Sequence, residues 1–377
     1  SARTVQPSST TSYPPFAQLA TQRIAWIHLL EGRLLLAADF FHRLEISLEE
    51  FERQTSELVP ADRAALIADT QHAIYWGRYA IEAHRRAEGG KPVPLNEPEL
   101  ALATSTTPSY YRMRLRDLLA EQGYQVDLAA QVHSTECHPS LTGQVEQRAS
   151  LLASEGYHGQ ALAQHEIDWA LRATSSTPNT EVDRAVLYGA FAPPPSAVQQ
   201  GSRVLSSTGP RTTHALDCLS SVILAAYPRP YFDFYLAEAN RRSISPTVLL
   251  AISRSESAFD PSAVSRVGAL GLMQLMPQTA REIGLNSGQS LLDIDINISL
   301  GARYASELIR SYGGELSYAV AAYNAGRQPV ERWKARYPDL PPHVWIERIS
   351  YPETKEYTKR VLLAERVYAE SLISASP

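Results

Sequence analysis

Two cysteines in 377 residues, no hydrophobic run long enough to cross a membrane, and no excess of positive charge set the first limits on this chain. A framework of several disulfides is excluded. Cys137 and Cys218 fit either a single disulfide in an oxidising compartment or two buried thiols, and nothing in the sequence sets their separation. The apolar runs fall well short of the roughly 20 residues a membrane helix requires, so no transmembrane segment is expected. Net charge is -5. Residues 243–377 balance 14 basic against 14 acidic side chains, which leaves the negative excess upstream. Nucleic-acid binding needs a basic surface to neutralise phosphates, and that class is disfavoured. No phosphate-binding glycine loop or nucleophile-elbow serine occurs. His165-Glu166 lacks a second histidine one helical turn on, where Trp169 stands. His133, Cys137 and His138 are close in sequence, but such neighbours in a Pro-flanked loop rarely make a metal site.

A chain of this length with 44% hydrophobic residues is an ordinary globular protein of two or three domains. Residues 1–15, rich in Ser, Thr and Pro, are expected to be disordered or draped over the surface. Apolar residues near a 3.6-residue period predict helices over 16–45, from Pro60 to Gly89-Gly90, over 108–122 and over 143–173. Lys91 to Thr107 is expected to be a connection. Helix-turn-helix signals continue through the 180s. Pro193-Pro194-Pro195 cannot be helix interior, and Ser, Gly and Thr near 201–213 mark a boundary. No alternation suggests strands before residue 215. The tyrosines and tryptophans here are read as inter-helix packing in an α-superhelical array. Further helices are expected near 216–226, 230–241, 246–257, 277–283, 297–312, 315–323 and 354–372. The fold class is therefore all-α, with a helical array over 1–107, a helical linker region over 108–215 and a further α-domain over 216–377.

The chemistry centres on Glu256, in the run Ser255-Glu256-Ser257-Ala258-Phe259. Ser245-Pro246 supplies an N-cap and a proline at the first helical position. Leu249, Ile252 and Glu256 then fall on one helix face, and the helix must stop before Pro261. The carboxyl thus shares the buried stripe at the helix's C-terminal end. Burial and the negative end of the helix dipole both raise its pKa, as a general acid at neutral pH requires. Asp260, one turn on, is the nearest second carboxylate, but it directly precedes Pro261 and is read as a cap.

Three segments stand out in order. The first runs from Glu256-Ser257 through Ser265 to Gly268-Ala269-x-Gly271-Leu272-Met273-Gln274. The second is Ala321-Ala322-Tyr323-Asn324-Ala325-Gly326. The third is Glu347-x-Ile349 with Glu353-Thr354-x-x-Tyr357. Together they resemble the catalytic domain of the soluble lytic transglycosylases, whose fold is similar to goose-type lysozyme. The likeness is close over about residues 225–377; upstream, the helices and Tyr227-Pro228-x-Pro230-Tyr231 match more loosely.

The resemblance implies non-hydrolytic cleavage of the MurNAc-β-1,4-GlcNAc bond of peptidoglycan, leaving 1,6-anhydroMurNAc ends, with Glu256 acting as acid and then base. It also implies that Ser265, Gln274, Met276, Tyr323 and Asn324 line the glycan groove, with the Tyr323 hydroxyl near Glu256 and Glu353 contacting substrate. Gly268 and Gly271 read as turns that let backbone approach the sugar, and Met273 is placed with the substrate-binding set. Met276 fits core as well as groove floor, Asn324 with Gly326 fits a helix C-cap, and Glu347 is read as a structural ion-pair partner. Arg327-Gln328-Pro329 departs from the family pattern, so recognition of the stem peptide is expected to differ; Ser350 stands where the family prefers proline, with Pro352 two residues on, which leaves the chain path before Glu353 open. No metal or organic cofactor is implied. The expected partners are peptidoglycan glycan strands, with no protein partner indicated. A periplasmic location is implied, with the export signal absent from this chain, since no basic-apolar leader follows Ser1. Some 215 upstream residues are short for the closed ring of larger members, so an open arc or an incomplete N-terminus is expected. A hydrolytic muramidase and a non-catalytic peptidoglycan-binding scaffold are the alternatives.

Overall fold

Helix-forming stretches broken by glycine and proline become helices joined by short turns in the computed structural model. It describes residues 16–44, 60–91, 93–105, 108–122, 137, 143–172, 178–206 and 217–373. Among these residues there is no strand, only isolated bridges pairing Leu270 with Val264 and with Leu275. The chain divides into two compact units, Ser1–Val132 and His133–Pro377.

In the first unit, α1 (Phe16–Leu30), α2 (Leu34–His42), α3 (Pro60–Glu88), α4 (Glu97–Thr104) and α5 (Tyr110–Glu121) surround an aromatic core. Trp26 packs edge-on against Phe41 and Trp76, and Tyr75 against Trp76. The single helix expected over 16–45 is two, because Gly32 takes φ +73° and turns the chain between them. Helix α4 lies inside the expected connection. Its signal was present: Asn96 accepts from the Glu99 backbone while the Glu99 carboxylate accepts from the Asn96 N–H, a reciprocal cap.

The second unit holds α6 (Gly143–Ala153), α7 (Gly156–Arg172), α8 (Pro178–Phe191), α9 (Pro194–Ser206) and α10 (Leu219–Ala226). The helix expected over 143–173 breaks before Gly156, at φ +80°. Pro194 opens α9 at the position where a missing N–H is harmless. Then follow α11 (Phe232–Arg242), α12 (Pro246–Ser257), α13 (Pro277–Glu282), α14 (Ile294–Ser311), α15 (Leu316–Ala325), α16 (Arg327–Arg336), α17 (Pro342–Glu347) and α18 (Pro352–Ile373). Helices α16 and α17 are additions to the expected set. The former starts at once after Gly326 and carries Pro329 in its first turn, where proline is tolerated.

The expected segments end at 107 and 215, whereas the units divide at 132 and helices on both sides of 215 share one core. Val182, Ala185, Val198 and Leu205 pack in the same cluster as Leu249, Ile252, Phe259, Tyr357 and Tyr368. Arg254, on α12, ties these regions. Its Nε donates to the Ala226 carbonyl (2.7 Å), its Nη2 to Ser202 Oγ (2.9 Å), and its guanidinium lies over the Tyr227 ring. Cys137 and Cys218 form a disulfide, which resolves the choice the sequence left open and removes Cys137 from any metal site. His133 and His138 lie outside the described residues, as do residues 1–15 and 207–213.

Helices α9 and α10 approach so closely that a Cβ on Gly201 would stand 2.5 Å from the Ala226 backbone nitrogen. Backbone cannot yield as a side chain does. Gly201→Ala is therefore expected to lower unfolding free energy by about 2 kcal/mol or more in a urea titration, despite alanine's better helix propensity.

Candidate active site

Helix α12 begins as expected: the Ser245 hydroxyl accepts from Thr247 N–H, and Pro246 follows the cap. Leu249, Leu250 and Ile252 are fully buried, each worth about 1.5–3 kcal/mol of apolar transfer. The helix ends on two consecutive non-glycine residues at positive φ, Ala258 at 51° and Phe259 at 65°. Such left-handed backbone disfavours L-residues by about 1 kcal/mol each. Phe259 holds the turn in place because its ring is wholly buried. Glu256 therefore sits where the chain is turned sharply and anchored.

Helix α18 runs antiparallel along α12. Thr247, at the start of α12, donates to Glu365 (2.8 Å), and Tyr357, in the first half of α18, donates its hydroxyl to Glu256 Oε1 (2.6 Å). Burial dominates the electrostatics of this carboxyl and pushes its pKa up to about 7. The Tyr357 hydrogen bond and the Arg360 cation pull the other way, and the Glu353 charge adds to the rise. The Tyr357 phenol is itself held well above its ordinary value, first by burial and then by the neighbouring Glu256 charge. It stays a donor at every relevant pH.

Asp260 Oδ1 accepts from Ser262 N–H (2.8 Å) and Ser262 Oγ (2.7 Å), closing a local turn as the cap reading expected.

The loop after Glu256 is built by polar groups aimed at backbone. Leu270 and Leu275 exchange N–H···O bonds, and Gly271 N–H donates to the Ala263 carbonyl. Ser257 Oγ donates to the Leu272 carbonyl (2.8 Å). Asn297, buried in α14, donates to the Leu270 and Leu291 carbonyls and accepts from Met273 N–H. Tyr323 closes the far side by donating to the Met273 carbonyl (2.9 Å).

Several expected roles change on this scaffold. Gly271 is at φ +73°, and a Cβ there would collide with the Asn297 amide and the Leu291 carbonyl, so its missing side chain admits Asn297 rather than a sugar. The Met273 side chain is fully buried against the bare face of Gly301, which places it in the core instead of on the substrate-binding surface. The hydroxyl bonded to Glu256 belongs to Tyr357; that of Tyr323 bonds the Met273 carbonyl, although Tyr323 lies near enough to Glu256, as expected, for that charge to raise its pKa. Ser265 Oγ accepts from Ala269 N–H and pins its own turn.

Gln274, at φ 47°, donates both amide hydrogens inward, to the Ala263 and Gly271 carbonyls, and keeps its oxygen as an acceptor. Met276 is 40% exposed, which favours surface over core. Asn324 accepts from Thr354 Oγ1 (2.6 Å), so it ties α15 to α18 as well as preceding the Gly326 cap. Glu353 is exposed, one helical turn before Tyr357. Glu347 takes the ion-pair role expected of it, 3.0 Å from Lys359. The sequence reading missed Asn297, a buried amide within an amphipathic helix, and Tyr357, which stood in the third motif without an assigned role. Among the described residues no group of three or more His, Cys, Asp or Glu side chains is placed to hold a metal ion.

Residues 233–346 match the transglycosylase SLT domain family. The soluble lytic murein transglycosylase of Escherichia coli K12 is 33% identical over 150 residues, 38% of this chain and 23% of that protein. A putative soluble lytic murein transglycosylase of Haemophilus influenzae is 33% identical over 148 residues, covering 37% and 25%. The chain thus matches about a quarter of the length of these relatives. Among solved structures, an inactive mutant of the lytic transglycosylase Slt of Pseudomonas aeruginosa aligns over 96% of this chain and 59% of its own, with TM-score 0.59 and 24% identity. The 70 kDa soluble lytic transglycosylase of E. coli aligns over 95% and 52%, with TM-score 0.62 and 20% identity. These two likenesses show the all-α fold.

The native state holds the Glu256 proton more tightly than the unfolded chain, whose carboxyl titrates near 4.5. The stability this proton contributes is full below pH 4.5 and is lost as pH rises to about 7. Glu256→Gln, neutral at every pH, should gain on the native protein across that window by about 3 kcal/mol, read by urea denaturation at pH 4 and pH 8. Tyr357→Phe removes a hydrogen bond to the ionised form. Carbon-13 NMR of the carboxyl should then show the Glu256 pKa higher still, by about one unit.

Proposed function

We propose that this chain, whose residues 233–346 belong to the transglycosylase SLT family, is a peptidoglycan lytic transglycosylase. The observation that carries the reading is the Glu256 carboxyl, largely buried between α12 and α18, bonded to Tyr357 and titrating near neutrality. A group at about 7 populates both of its states at neutral pH, which suits a residue that gives a proton and later takes one.

In the first step neutral Glu256 donates its proton to the glycosidic oxygen, and the C1–O bond to the leaving GlcNAc breaks. Asp260 is tied into its own turn, so the developing positive charge at C1 is offset by the substrate's own N-acetyl carbonyl. In the second step the muramic C6 hydroxyl attacks C1 and gives its proton to the Glu256 carboxylate, which regenerates the acid. Water is not consumed, and the product is a 1,6-anhydro sugar. Tyr357 donates to the carboxylate between the steps and keeps the ionised state within reach. Ser265, Gln274, Met276, Asn324 and Glu353 are assigned to the glycan groove; the Gln274 oxygen, left over from its inward bonds, accepts from a sugar hydroxyl or amide.

Residues 216–377 are assigned as the catalytic domain, with the helices of 1–107 and 108–215 orienting the glycan strand. The Cys137–Cys218 disulfide supports an oxidising compartment, and we place the protein in the periplasm on peptidoglycan. No helix among the described residues is long and apolar enough to cross a membrane.

Digestion of purified murein followed by mass spectrometry of the released muropeptides tests the reading. The native protein should give ends one water lighter than reducing ends, and Glu256→Gln should give none. Reducing ends would mean a muramidase. Binding without sugar release would mean a scaffold.

A further inference from the structure

Helix α18 carries four basic side chains, and three of them are neutralised. Lys359 lies 3.0 Å from Glu347 and 3.4 Å from Glu356, Lys355 lies 4.0 Å from Glu347, and Arg366 lies 3.2 Å from Glu370. Arg360 has no carboxylate of the described residues within ion-pair distance, although it is exposed. Its place on the helix is specific. Glu353, Tyr357 and Arg360 stand at i, i+4 and i+7, on one face, and the middle residue is the one bonded to Glu256. The Arg360 guanidinium lies 5.8 Å from the Tyr357 ring centroid. Glu353, also without an ion pair, is seven residues away, about 10 Å along the axis, too far to neutralise it.

We propose that Arg360 forms a subsite for a carboxylate of the substrate, the one borne by the peptide attached to the muramic acid at the cleavage point. The inference rests on the peptidoglycan reading above. N-acetylated sugar rings carry no charge, so the anionic groups of such a strand are on its peptides. A guanidinium binds a carboxylate through two parallel N–H···O bonds, and one that rests on an aromatic face keeps its outward N–H groups available. The unpaired charge would also steer an anionic strand toward the acid.

A rival role is action through Glu256 itself, whose ionised form Arg360 favours. The groups bearing on Glu256 are Glu353, Tyr357 and Arg360 from α18 and Tyr323 from α15. Loss of Arg360 by that route would move the pH profile and would not depend on the peptide.

The experiment compares two murein preparations, peptide-bearing strands with free peptide carboxylates and the same strands with those carboxylates capped as methyl amides by carbodiimide coupling. Its readout is release of anhydro sugar by native protein, Arg360→Gln and Arg360→Lys. The expected result is that the native preference for free-carboxylate over capped strands, as a ratio of kcat/KM, falls about tenfold in Arg360→Gln. The fall should lie in KM, with a partial return in Arg360→Lys; the pH profile moves upward alike on both substrates, because the Arg360 charge lowers the Glu256 pKa. An unchanged ratio overturns the subsite, whether both substrates lose rate together with a shifted pH profile or neither loses any. Failure of the native protein to release anhydro sugar from either preparation sinks the transglycosylase reading, and the subsite with it.

Discussion

The arrangement depends on one carboxyl being largely withdrawn from water at the junction of two antiparallel helices. Burying an ionisable group is unfavourable unless the neutral form is retained or a partner supports the charge. Glu256 has both. The apolar stripe of α12 removes water, and a single phenol from α18 offers one hydrogen bond to the charged form. Everything that fixes α12 against α18 therefore fixes the acid. The Thr247–Glu365 bond at one end, the Tyr357–Glu256 bond at the other and the Arg254 tie to α9 and α10 hold the same helix along its length.

The loop from Leu270 to Leu275 is the second constraint, and it is made almost entirely from backbone. Side chains of Ser257, Asn297 and Tyr323 each take a backbone group that a regular strand would have paired with a neighbour. The loop can stay irregular beside the acid without leaving those groups unsatisfied. Both glycines that face this region serve packing: Gly271 against Asn297, and Gly301 against Met273. The loop beside Glu256 is thus held by its own packing and hydrogen bonds.

Much of this was legible in the sequence because it follows from local rules. The cap at Ser245-Pro246, the stripe Leu249–Ile252–Glu256 and the stop before Pro261 define α12 from short-range chemistry alone. The local role of Asp260 was readable from the proline after it. What was not legible required knowing which distant atoms meet. Periodicity cannot say that Asn297 reaches the Met273 backbone, or which of Tyr323 and Tyr357 has its hydroxyl on Glu256. Met273 and Gly271 sat in a motif with chemical neighbours and were assigned by proximity in sequence, where close packing decides their roles. Gly32 and Gly156 are a different kind of miss. Both lie within apolar periodicity that continues across them, and the positive φ that breaks each helix is invisible to a period count.

The two tyrosines show why the carboxyl's environment is balanced rather than simply dry. A reaction in which one residue gives a proton and later takes one penalises a pKa far from neutrality in either direction. At about 7 neither state is scarce. Two further units upward would leave roughly 1% of the carboxylate at neutral pH, equivalent to about 2.7 kcal/mol on the step that needs the base. Burial alone drives the group that way. Tyr357 and the Arg360 charge restrain it, and Glu353 opposes them. Were Tyr323 also bonded to Glu256, the anion would gain a second donor and the acid step would bear the penalty instead. Its commitment to the Met273 carbonyl keeps that donor away, so the hydrogen bond that shapes the loop also leaves the acid its proton.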